Sequence, residues 1–135
     1  MKNKPKLYFA APLFSYAERS FNEQATKLLE EYFEVFLPQR DGGLMDEMIK
    51  DGMSVSKASK TVFDIDVKEL SASDVVVGVL DGNSIDEGVA IELGFAYALE
   101  IKCIGLQTAY SEPIPPLIPT QIVHPFRSNS ATDSD

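Results

Sequence analysis

The stretch "DVVVGVLDG", from Asp74 to Gly82, decides the fold class of this 135-residue chain. Apolar residues, most of them β-branched, follow one another until the Asp-Gly pair. A strand with one solvated face alternates apolar and polar residues, whereas a parallel strand that helices cover on both faces reads as a continuous apolar run. The stretch therefore predicts the central strand of a parallel sheet.

Other short apolar runs predict the neighbouring strands, because turn residues and prolines bound them. The first run ends before Pro12, and the second ends at Pro38. The predicted strands are "KLYFA" (6–10), "EVFLP" (34–38), "KCIGLQT" (102–108) and a last edge strand, "TQIVHPF" (120–126).

Segments with helical spacing of apolar residues separate these strands. Ser15 and Glu18 fit a capping box at the start of the first helix. The predicted helices are "YAERSFNEQATKLLEEYF" (16–33), "TVFDIDVKELSAS" (61–73) and "DEGVAIELGFAYALE" (86–100). The residues of the second helix expected to face inward are Val62, Phe63, Ile65 and Leu70. Residues 39–60, with two glycine turns, are predicted to form a loop with at most one helical turn.

The alternation predicts an α/β domain: an open parallel sheet of about five strands with helices on both faces. We expect one domain over residues 1–127 and a mobile polar tail over residues 128–135. Ligands of such sheets bind at the carboxyl ends of the strands. The segments where a site is expected are therefore 11–15, 39–43 and 81–88.

Charge and composition exclude several classes of function. The net charge of −9 opposes binding to nucleic acid and to anionic membranes. The single cysteine, Cys103, allows no internal disulfide and no cysteine-based zinc site, and no other motif indicates a metal. Neither a Walker A sequence nor G-x-G-x-x-G is present. The apolar run before Pro12 is too short for a signal peptide or a membrane span, so we expect a cytoplasmic protein.

Glu92 is the first candidate for chemistry, because a carboxylate on an apolar helix face is costly unless it is paired or protonated. By helical spacing it shares a face with Val89, Leu93 and Ala96. Carboxylates in such surroundings cluster at functional sites. The structural alternatives are a satisfied buried glutamate and a glutamate at a subunit contact.

Polar residues near the predicted strand ends accompany Glu92, and each has a structural alternative. Asp81 fits a plain turn, and Asp86 fits a helix cap. Tyr8 fits a core tyrosine near the end of the first strand. Gln39 fits a turn, although its amide has the donor and the acceptor needed to bind a base edge.

Asp64 and Asp66 lie two positions apart on a predicted helix and therefore point in different directions. We expect one of them at the site and the other in solvent. The only histidine, His124, is interpreted as structural, and Ser15 has no apparent His/Asp partners in the sequence. A carboxylate nucleophile with carboxylic acid helpers remains, which is the chemistry of cleavage at an anomeric carbon.

Four segments together resemble the nucleoside 2-deoxyribosyltransferase family: "LYFAAPLFSYAERSFN", "VFLPQRDGG", "FDIDVKELSASDVVVGVLDG" and "DEGVAIELGFAYA". The resemblance covers about residues 7–105, and the spacing from Asp66 to Asp74, Asp86 and Glu92 follows the family pattern. It implies a flavodoxin-like fold, a double displacement, and neither a cofactor nor a metal. The substrates that it implies are a 2′-deoxynucleoside and a free purine or pyrimidine base.

The resemblance also implies a role for individual residues. Glu92 corresponds to the nucleophile that attacks C1′ and holds a covalent deoxyribosyl intermediate, and Tyr8 corresponds to the tyrosine that orients it. Asp66 and Asp86 correspond to the acidic pair that protonates the leaving base, and Gln39 to the amide that contacts the base. The further substrate-binding candidates are Ala11, Phe14, Asp81 and Gly88.

Family members are homo-oligomers whose sites borrow C-terminal groups from a neighbouring subunit, often through a segment like "NLMI". This chain has "SEPIPPLIPTQIVHPF" (111–126) instead, and Asn129 lies in the polar tail. Three functions stay open: base exchange, hydrolysis of a 2′-deoxynucleoside or its 5′-monophosphate, and nucleotide binding without catalysis. The bulky apolar first loop "APLFSYAER" (11–19) favours an unphosphorylated sugar.

Overall fold

The computed structural model describes residues 4–108, which form an α/β fold with one open parallel sheet in the strand order β2-β1-β3-β4. The strands are β1 (Lys6–Ala10), β2 (Glu34–Phe36), β3 (Val75–Val79) and β4 (Lys102–Leu106). The helices are α1 (Tyr16–Leu29), α2 (Pro38–Asp41), α3 (Met45–Lys50), α4 (Val55–Ser71) and α5 (Glu87–Ala98). Within residues 4–108, no helix combines the length and the hydrophobicity needed to cross a bilayer.

Strand β3 lies inside the sheet, as its continuous apolar run predicts. It pairs with β1 on one side and with β4 on the other, and all five of its residues are buried. Four of the about five predicted strands are thus present in the described part of the chain. The predicted edge strand (120–126) and the predicted tail (128–135) lie outside the described residues.

Helices cover both faces of the sheet, as expected, because successive strand residues point to opposite sides. On the first face, strand residues pack with residues of α4 and α5: Tyr8, Ala10, Val76 and Cys103 with Leu70, Val89, Leu93 and Ala96. On the second face, strand residues pack with residues of α1: Leu7, Phe9, Val35, Val75, Val77 and Val79 with Phe21, Ala25 and Leu29. We call these two layers the α4/α5 face and the α1 face.

Two local features position the elements that carry Tyr8 and Glu92. One fixes the register of β1 against β3, and the other fixes how closely α5 packs on the sheet. Asp74 ties the start of β3 to β1, since its Oδ2 accepts a hydrogen bond of 2.7 Å from the Lys6 N–H. Gly78 lets α5 approach the sheet, because a Cβ there would lie 2.8 Å from the Leu93 side chain. Glu92 precedes Leu93, so this close approach brings Glu92 down towards the strands.

The prediction for residues 39–60 was wrong in part. The segment holds two short helices, α2 and α3, and α4 begins at Val55 instead of Thr61. The Ser54 side chain accepts from the Lys57 N–H and caps the longer helix. The two glycine turns are confirmed, with φ of 87° at Gly43 and 94° at Gly52.

The inward face predicted for α4 is confirmed only at its end. Leu70 is buried, and Val62 and Ile65 are half-buried. Phe63 is instead 59% exposed. It lies two turns before Leu70 on the same side of α4, where both residues line a cavity, so its apolar character reflects that cavity.

Helix α5 ends in a Schellman motif with a glutamate at the left-handed position. Glu100 has φ of 59°, where glycine is the usual residue. Its N–H donates to the Tyr97 carbonyl at 3.0 Å, and the Ile101 N–H donates to the Ala96 carbonyl at 2.9 Å. Ile101 also packs against the cluster that contains Ala96. The motif thus provides hydrogen-bond donors for the carbonyls of Ala96 and Tyr97, but it holds Glu100, an L-residue, in the strained left-handed region.

We expect Glu100→Gly to raise the free energy of unfolding by up to about 1 kcal/mol. The left-handed backbone costs an L-residue about 1–2 kcal/mol, and the greater freedom of glycine in the unfolded chain offsets part of the gain. Urea unfolding followed by circular dichroism measures the change. Glu23→Gly, in the middle of α1, is the control and should lower the value by about 1 kcal/mol. A loss of stability in Glu100→Gly would contradict the strain at this position.

Candidate active site

A hydrogen bond between Tyr8 and Glu92 joins the sheet to α5. The Tyr8 hydroxyl donates to Oε1 of Glu92 at 2.6 Å, across 84 positions of the sequence. Tyr8 is fully buried, and its ring stacks on Phe36 with the ring centroids 5.5 Å apart. Burial, followed by the nearby Glu92 carboxylate, raises the pKa of Tyr8 above its ordinary value. The hydroxyl therefore stays protonated and serves as a donor to the carboxylate.

Glu92 lies on the buried side of α5, next to Leu93 and one turn after Val89. Burial raises the pKa of its carboxyl to about 7. The hydrogen bond from Tyr8 acts in the opposite direction, while the carboxylates of Asp66 and Asp86 raise the pKa further. Near neutral pH, Glu92 thus exchanges readily between its charged and its neutral form.

Asp66 approaches the same region from α4. Burial raises the pKa of its carboxyl to about 6, and its Oδ1 is buried without a hydrogen bond to any described residue. Asp64, two positions earlier, is exposed and pairs with Lys60 at 2.9 Å. The prediction that these two aspartates point in different directions is confirmed.

These three polar groups line one cavity of about 200 Å³ between α4 and α5, on the α4/α5 face. Apart from the polar groups and Gly88, the wall is apolar: Phe63, Val67, Leu70, Ile91 and Phe95. None of these five residues is among those predicted from the sequence to belong to a site. Their spacing of three and four positions on two helices is the signal for a shared face, but a pattern alone does not distinguish a cavity wall from a packed core.

Asp86 and Gly88 lie where the loop after β3 enters α5. Asp86 is the N-cap of the helix, and its Oδ1 accepts from the Val89 N–H at 3.1 Å. Its carboxylate contributes to the raised pKa of Glu92, so its charge acts on the site although Asp86 does not line the cavity. Gly88 does line the cavity.

Besides Asp86, four sequence-predicted residues do not line this cavity: Gln39, Ala11, Phe14 and Asp81. The carboxamide of Gln39 is engaged with α1, accepting from Asn22 at 2.8 Å and donating to the Arg19 carbonyl at 3.1 Å. Ala11 packs on the α1 face, and Phe14 is 78% exposed. Both carboxylate oxygens of Asp81 bind Thr108, through its N–H and its hydroxyl. A substrate-binding role for these four residues stays a prediction.

The cavity combines largely apolar walls with acidic groups and contains no basic side chain among the described residues that line it. Among residues 4–108, no set of three or more His, Cys, Asp and Glu side chains is arranged to hold a metal ion. Two carboxyls whose pKa values lie near neutrality can carry one proton between them. Such a pair can supply a nucleophile and an acid for cleavage at an anomeric carbon.

Comparison with known families decides the affiliation of the chain. Residues 7–114 match the family model described as nucleoside 2-deoxyribosyltransferase. The chain belongs to the nucleoside 2-deoxyribosyltransferase family. All three polar groups of the cavity lie within the matched range.

Two relatives match about three quarters of this nucleoside 2-deoxyribosyltransferase family member, one by sequence and one by structure. An uncharacterised protein of Ureaplasma parvum serovar 3 is 28% identical over 103 residues, which are 74% of this chain and 64% of that protein. The crystal structure of a conserved protein from Enterococcus faecalis V583 is 35% identical, with a TM-score of 0.62, over 78% of this chain and 64% of that one. This chain therefore spans just under two thirds of the length of each of these relatives.

A solved 2-deoxyribosyltransferase from Bacillus psychrosaccharolyticus has the same fold. It matches with a TM-score of 0.64 and 23% identity, over 84% of this chain and 76% of that one. The open parallel sheet with helices on both faces is therefore the common architecture.

We expect Glu92→Gln to stabilise the protein increasingly as the pH rises. The pKa of this carboxyl is about 4.3 in an unfolded chain and about 7 in the fold, so the folded state disfavours its charge. The native carboxyl therefore contributes its full stability below pH ~4.3 and loses it progressively up to pH ~7, whereas glutamine is neutral throughout. Urea unfolding at pH 5 and pH 8 should show the advantage of Glu92→Gln growing by about 2 kcal/mol.

Glu87→Gln is the matched control for this comparison, because Glu87 is an exposed glutamate on the same helix. Its effect on the free energy of unfolding should change little between the two pH values. An equal effect of Glu92→Gln at pH 5 and pH 8 would mean that Glu92 titrates like an exposed carboxylate, and it would contradict the buried site.

Proposed function

We propose that this protein transfers the 2-deoxyribosyl group between nucleobases by a double displacement at Glu92. The observation that supports this proposal is the hydrogen bond from Tyr8 to Glu92 inside a largely apolar cavity that also contains Asp66. A tyrosine donor orients a carboxylate towards a substrate, and the acid of Asp66 lies where it can meet a leaving base. The catalytic residues of the proposal are Glu92, Asp66, Asp86 and Tyr8.

In the first displacement, the ionised Glu92 attacks C1′ of a 2′-deoxynucleoside. The new C1′–O bond forms as the C1′–N bond to the base breaks, and the electron pair of that bond goes to the base nitrogen. The neutral Asp66 carboxyl gives its proton to the base, with Asp86 supplying negative charge nearby. The products are a free base and a deoxyribosyl ester of Glu92.

In the second displacement, a nitrogen of another base attacks C1′ from the opposite side. The ester bond to Glu92 breaks, the carboxylate leaves, and the proton of the incoming base returns to Asp66. Two inversions at C1′ retain the β configuration. The reaction is balanced without a cofactor, since each half regenerates what the other consumed.

The electrostatics of the cavity favour an oxocarbenium-like transition state. The developing positive charge at C1′ lies next to the Glu92 carboxylate, with the Asp86 carboxylate close enough to Glu92 to raise its pKa. The largely apolar walls weaken the screening of this attraction relative to open solvent. The reaction needs Glu92 ionised and Asp66 protonated at once. With pKa values of about 7 for Glu92 and about 6 for Asp66, a single proton shared by the pair lies mainly on Glu92. The reactive state is therefore the minor form of the singly protonated pair, and it arises when that proton moves from Glu92 to Asp66.

Substrates without a phosphate suit this cavity best. A 5′-phosphate would bring negative charge to an acidic cavity, and no lysine, arginine or histidine lines the described cavity to balance it. The guanidinium of Arg19 in the first loop already donates to the carbonyls of Leu13 and Phe14. The proposed substrates are therefore an unphosphorylated 2′-deoxynucleoside and a free purine or pyrimidine base.

We expect the wild-type protein to convert thymidine and adenine into deoxyadenosine and thymine at pH ~6.5. Chromatography of the products measures the exchange. Glu92→Ala should lower turnover at least about 1,000-fold, because it removes the nucleophile of both displacements. Glu87→Ala, on the exposed side of the same helix, is the matched control and should keep near wild-type turnover.

Each other outcome of this assay points to a different function. Free thymine without deoxyadenosine would contradict base exchange and indicate hydrolysis, with water as the acceptor. Binding of deoxynucleosides without conversion would indicate a non-catalytic nucleotide-binding domain. Unchanged exchange in Glu92→Ala would overturn the role of Glu92.

We also propose that the protein is a homo-oligomer, as the family resemblance implies. Helix α5 buries one side against the sheet and exposes large apolar side chains on another, among them Ile91 and Phe95, with Phe63 of α4 nearby at the rim of the cavity. Exposed apolar surface of this kind marks interaction sites. A neighbouring subunit placed there would also close the cavity.

Light scattering after gel filtration should give a mass of at least twice the 14.9 kDa of one chain. Ile91→Glu should shift the mass towards the monomer, because it places a charge in the proposed contact. Leu28→Glu is the control, since Leu28 is an equally exposed apolar residue on the far side of the sheet. A monomeric wild-type protein would contradict this proposal.

A further inference from the structure

Gly42 is buried beside Asp66, and its backbone conformation does not require a glycine. It is the C-cap of α2, with φ of −78° and ψ of −2°, a conformation that any residue adopts. Its N–H donates to the Pro38 carbonyl at 2.9 Å, which any residue other than proline would also do. A reason for glycine at this position must therefore lie in the space around it.

The space that a side chain at Gly42 would take is already occupied by the Pro38 carbonyl and by the carboxyl of Asp66. A Cβ on Gly42 would lie 2.9 Å from Oδ1 of Asp66 and 2.7 Å from the Pro38 carbonyl oxygen. Both distances are below those at which real Cβ atoms are found. Any larger residue would push the carboxyl of Asp66 out of this place or shift α2.

The two oxygens of Asp66 are thus in different surroundings. Oδ1 is buried against Gly42 and makes no hydrogen bond to a described residue. Asp66 also lines the cavity, which can reach its carboxyl only through Oδ2, because Oδ1 is inaccessible. A proton on Oδ1 would have no acceptor, whereas a proton on Oδ2 is available to a molecule in the cavity.

We propose that Gly42 is a positioning residue for the acid of the reaction: it provides a dry niche for Oδ1 of Asp66, so that Oδ2 carries the proton and presents it to the leaving base. This inference rests on the proposed function for its catalytic consequence, but the niche itself is a property of the fold. It extends the site to α2, which does not line the cavity.

The other charged groups around Asp66 do not explain the raised pKa of its carboxyl. Tyr8 from β1 and Glu92 from α5 are the titratable groups that share the cavity with Asp66. On α2, Arg40 pairs with Asp41 and with Glu30, each at 2.8 Å. Desolvation is the cause of the raised pKa of Asp66, and Gly42 contributes to it by packing directly on Oδ1.

The first test measures the carboxyl of Asp66 directly. In ¹³C-labelled protein, Asp66 is assigned by comparison with Asp66→Asn and titrated by NMR in the wild type, Gly42→Ala and Gly94→Ala. We expect Gly42→Ala to lower the pKa of Asp66 by at least about one unit towards its ordinary value of about 3.9. Gly94→Ala, where a Cβ would meet nothing within 4 Å, should leave this pKa unchanged.

If Gly42→Ala does not fold, Asp66→Glu tests the same niche from the other side. The additional methylene displaces the carboxyl from Gly42, and it should titrate near the ordinary value of about 4.3 for glutamate. If the pKa of the carboxyl at position 66 stays as high in Gly42→Ala or in Asp66→Glu as in the wild type, the proposal is overturned. The niche beside Gly42 would then not set the environment of this carboxyl.

The second test is a double-mutant cycle on turnover in the base-exchange assay. Gly42→Ala should lower kcat about tenfold in the wild-type background and have no further effect in the Asp66→Asn background, because both changes remove the same proton donor. Equal losses in both backgrounds would overturn the positioning role and indicate a general effect on folding. If the wild type shows no exchange at all, the proposed function fails. The titration alone then tests whether Gly42 sets the environment of the Asp66 carboxyl.

Discussion

The hydrogen bond from the Tyr8 hydroxyl to the Glu92 carboxyl is the constraint around which the site is organised. It spans the two layers of the fold, since Tyr8 belongs to a buried strand and Glu92 to the helix above it. An ionisable group in this position requires a donor, because an unpaired buried carboxylate costs several kcal/mol or takes up a proton. The close approach of α5 to β3 at Gly78 and the tie between Asp74 and Lys6 hold the two partners in register.

The cavity has a cost in stability that its proposed chemistry explains. Two carboxyls are kept in largely apolar surroundings without a basic partner among the cavity-lining residues, and their pKa values rise to about 6 and about 7. A fold selected only for stability would place apolar residues there. Sharing one proton between the two groups near neutral pH is useful, however, for a reaction that needs a nucleophile and an acid in the same cavity. The strain at Glu100 differs in kind, since it lies at the far end of α5 and serves only to end that helix.

Local sequence patterns were sufficient to predict most of the elements of the fold. Strand β1 has the predicted bounds, and the capping box of Ser15 and Glu18 and the cap at Asp86 are present as predicted. The continuous run of β3 correctly indicated a strand buried on both faces. Helices α2 and α3 were missed because four and six residues are too short for an apolar period to show. The first turns of α4 were missed because their residues, apart from Val55 and Ala58, are polar and exposed.

The sequence by itself determined which elements form and which residues carry ionisable groups on apolar faces, because periodicity and capping depend on neighbours along the chain. Only the tertiary structure decided which of these groups meet. It separated Asp66 from Asp64, set Gln39 against α1, and made Phe63 part of a cavity wall instead of the core. It also accounts for Gly42, whose φ and ψ do not require glycine, by the closeness of the Pro38 carbonyl oxygen and of Oδ1 of Asp66. Whether a side chain lies in a dry cavity, in a packed core or in solvent depends on elements that are distant in the sequence, and no local pattern encodes that packing.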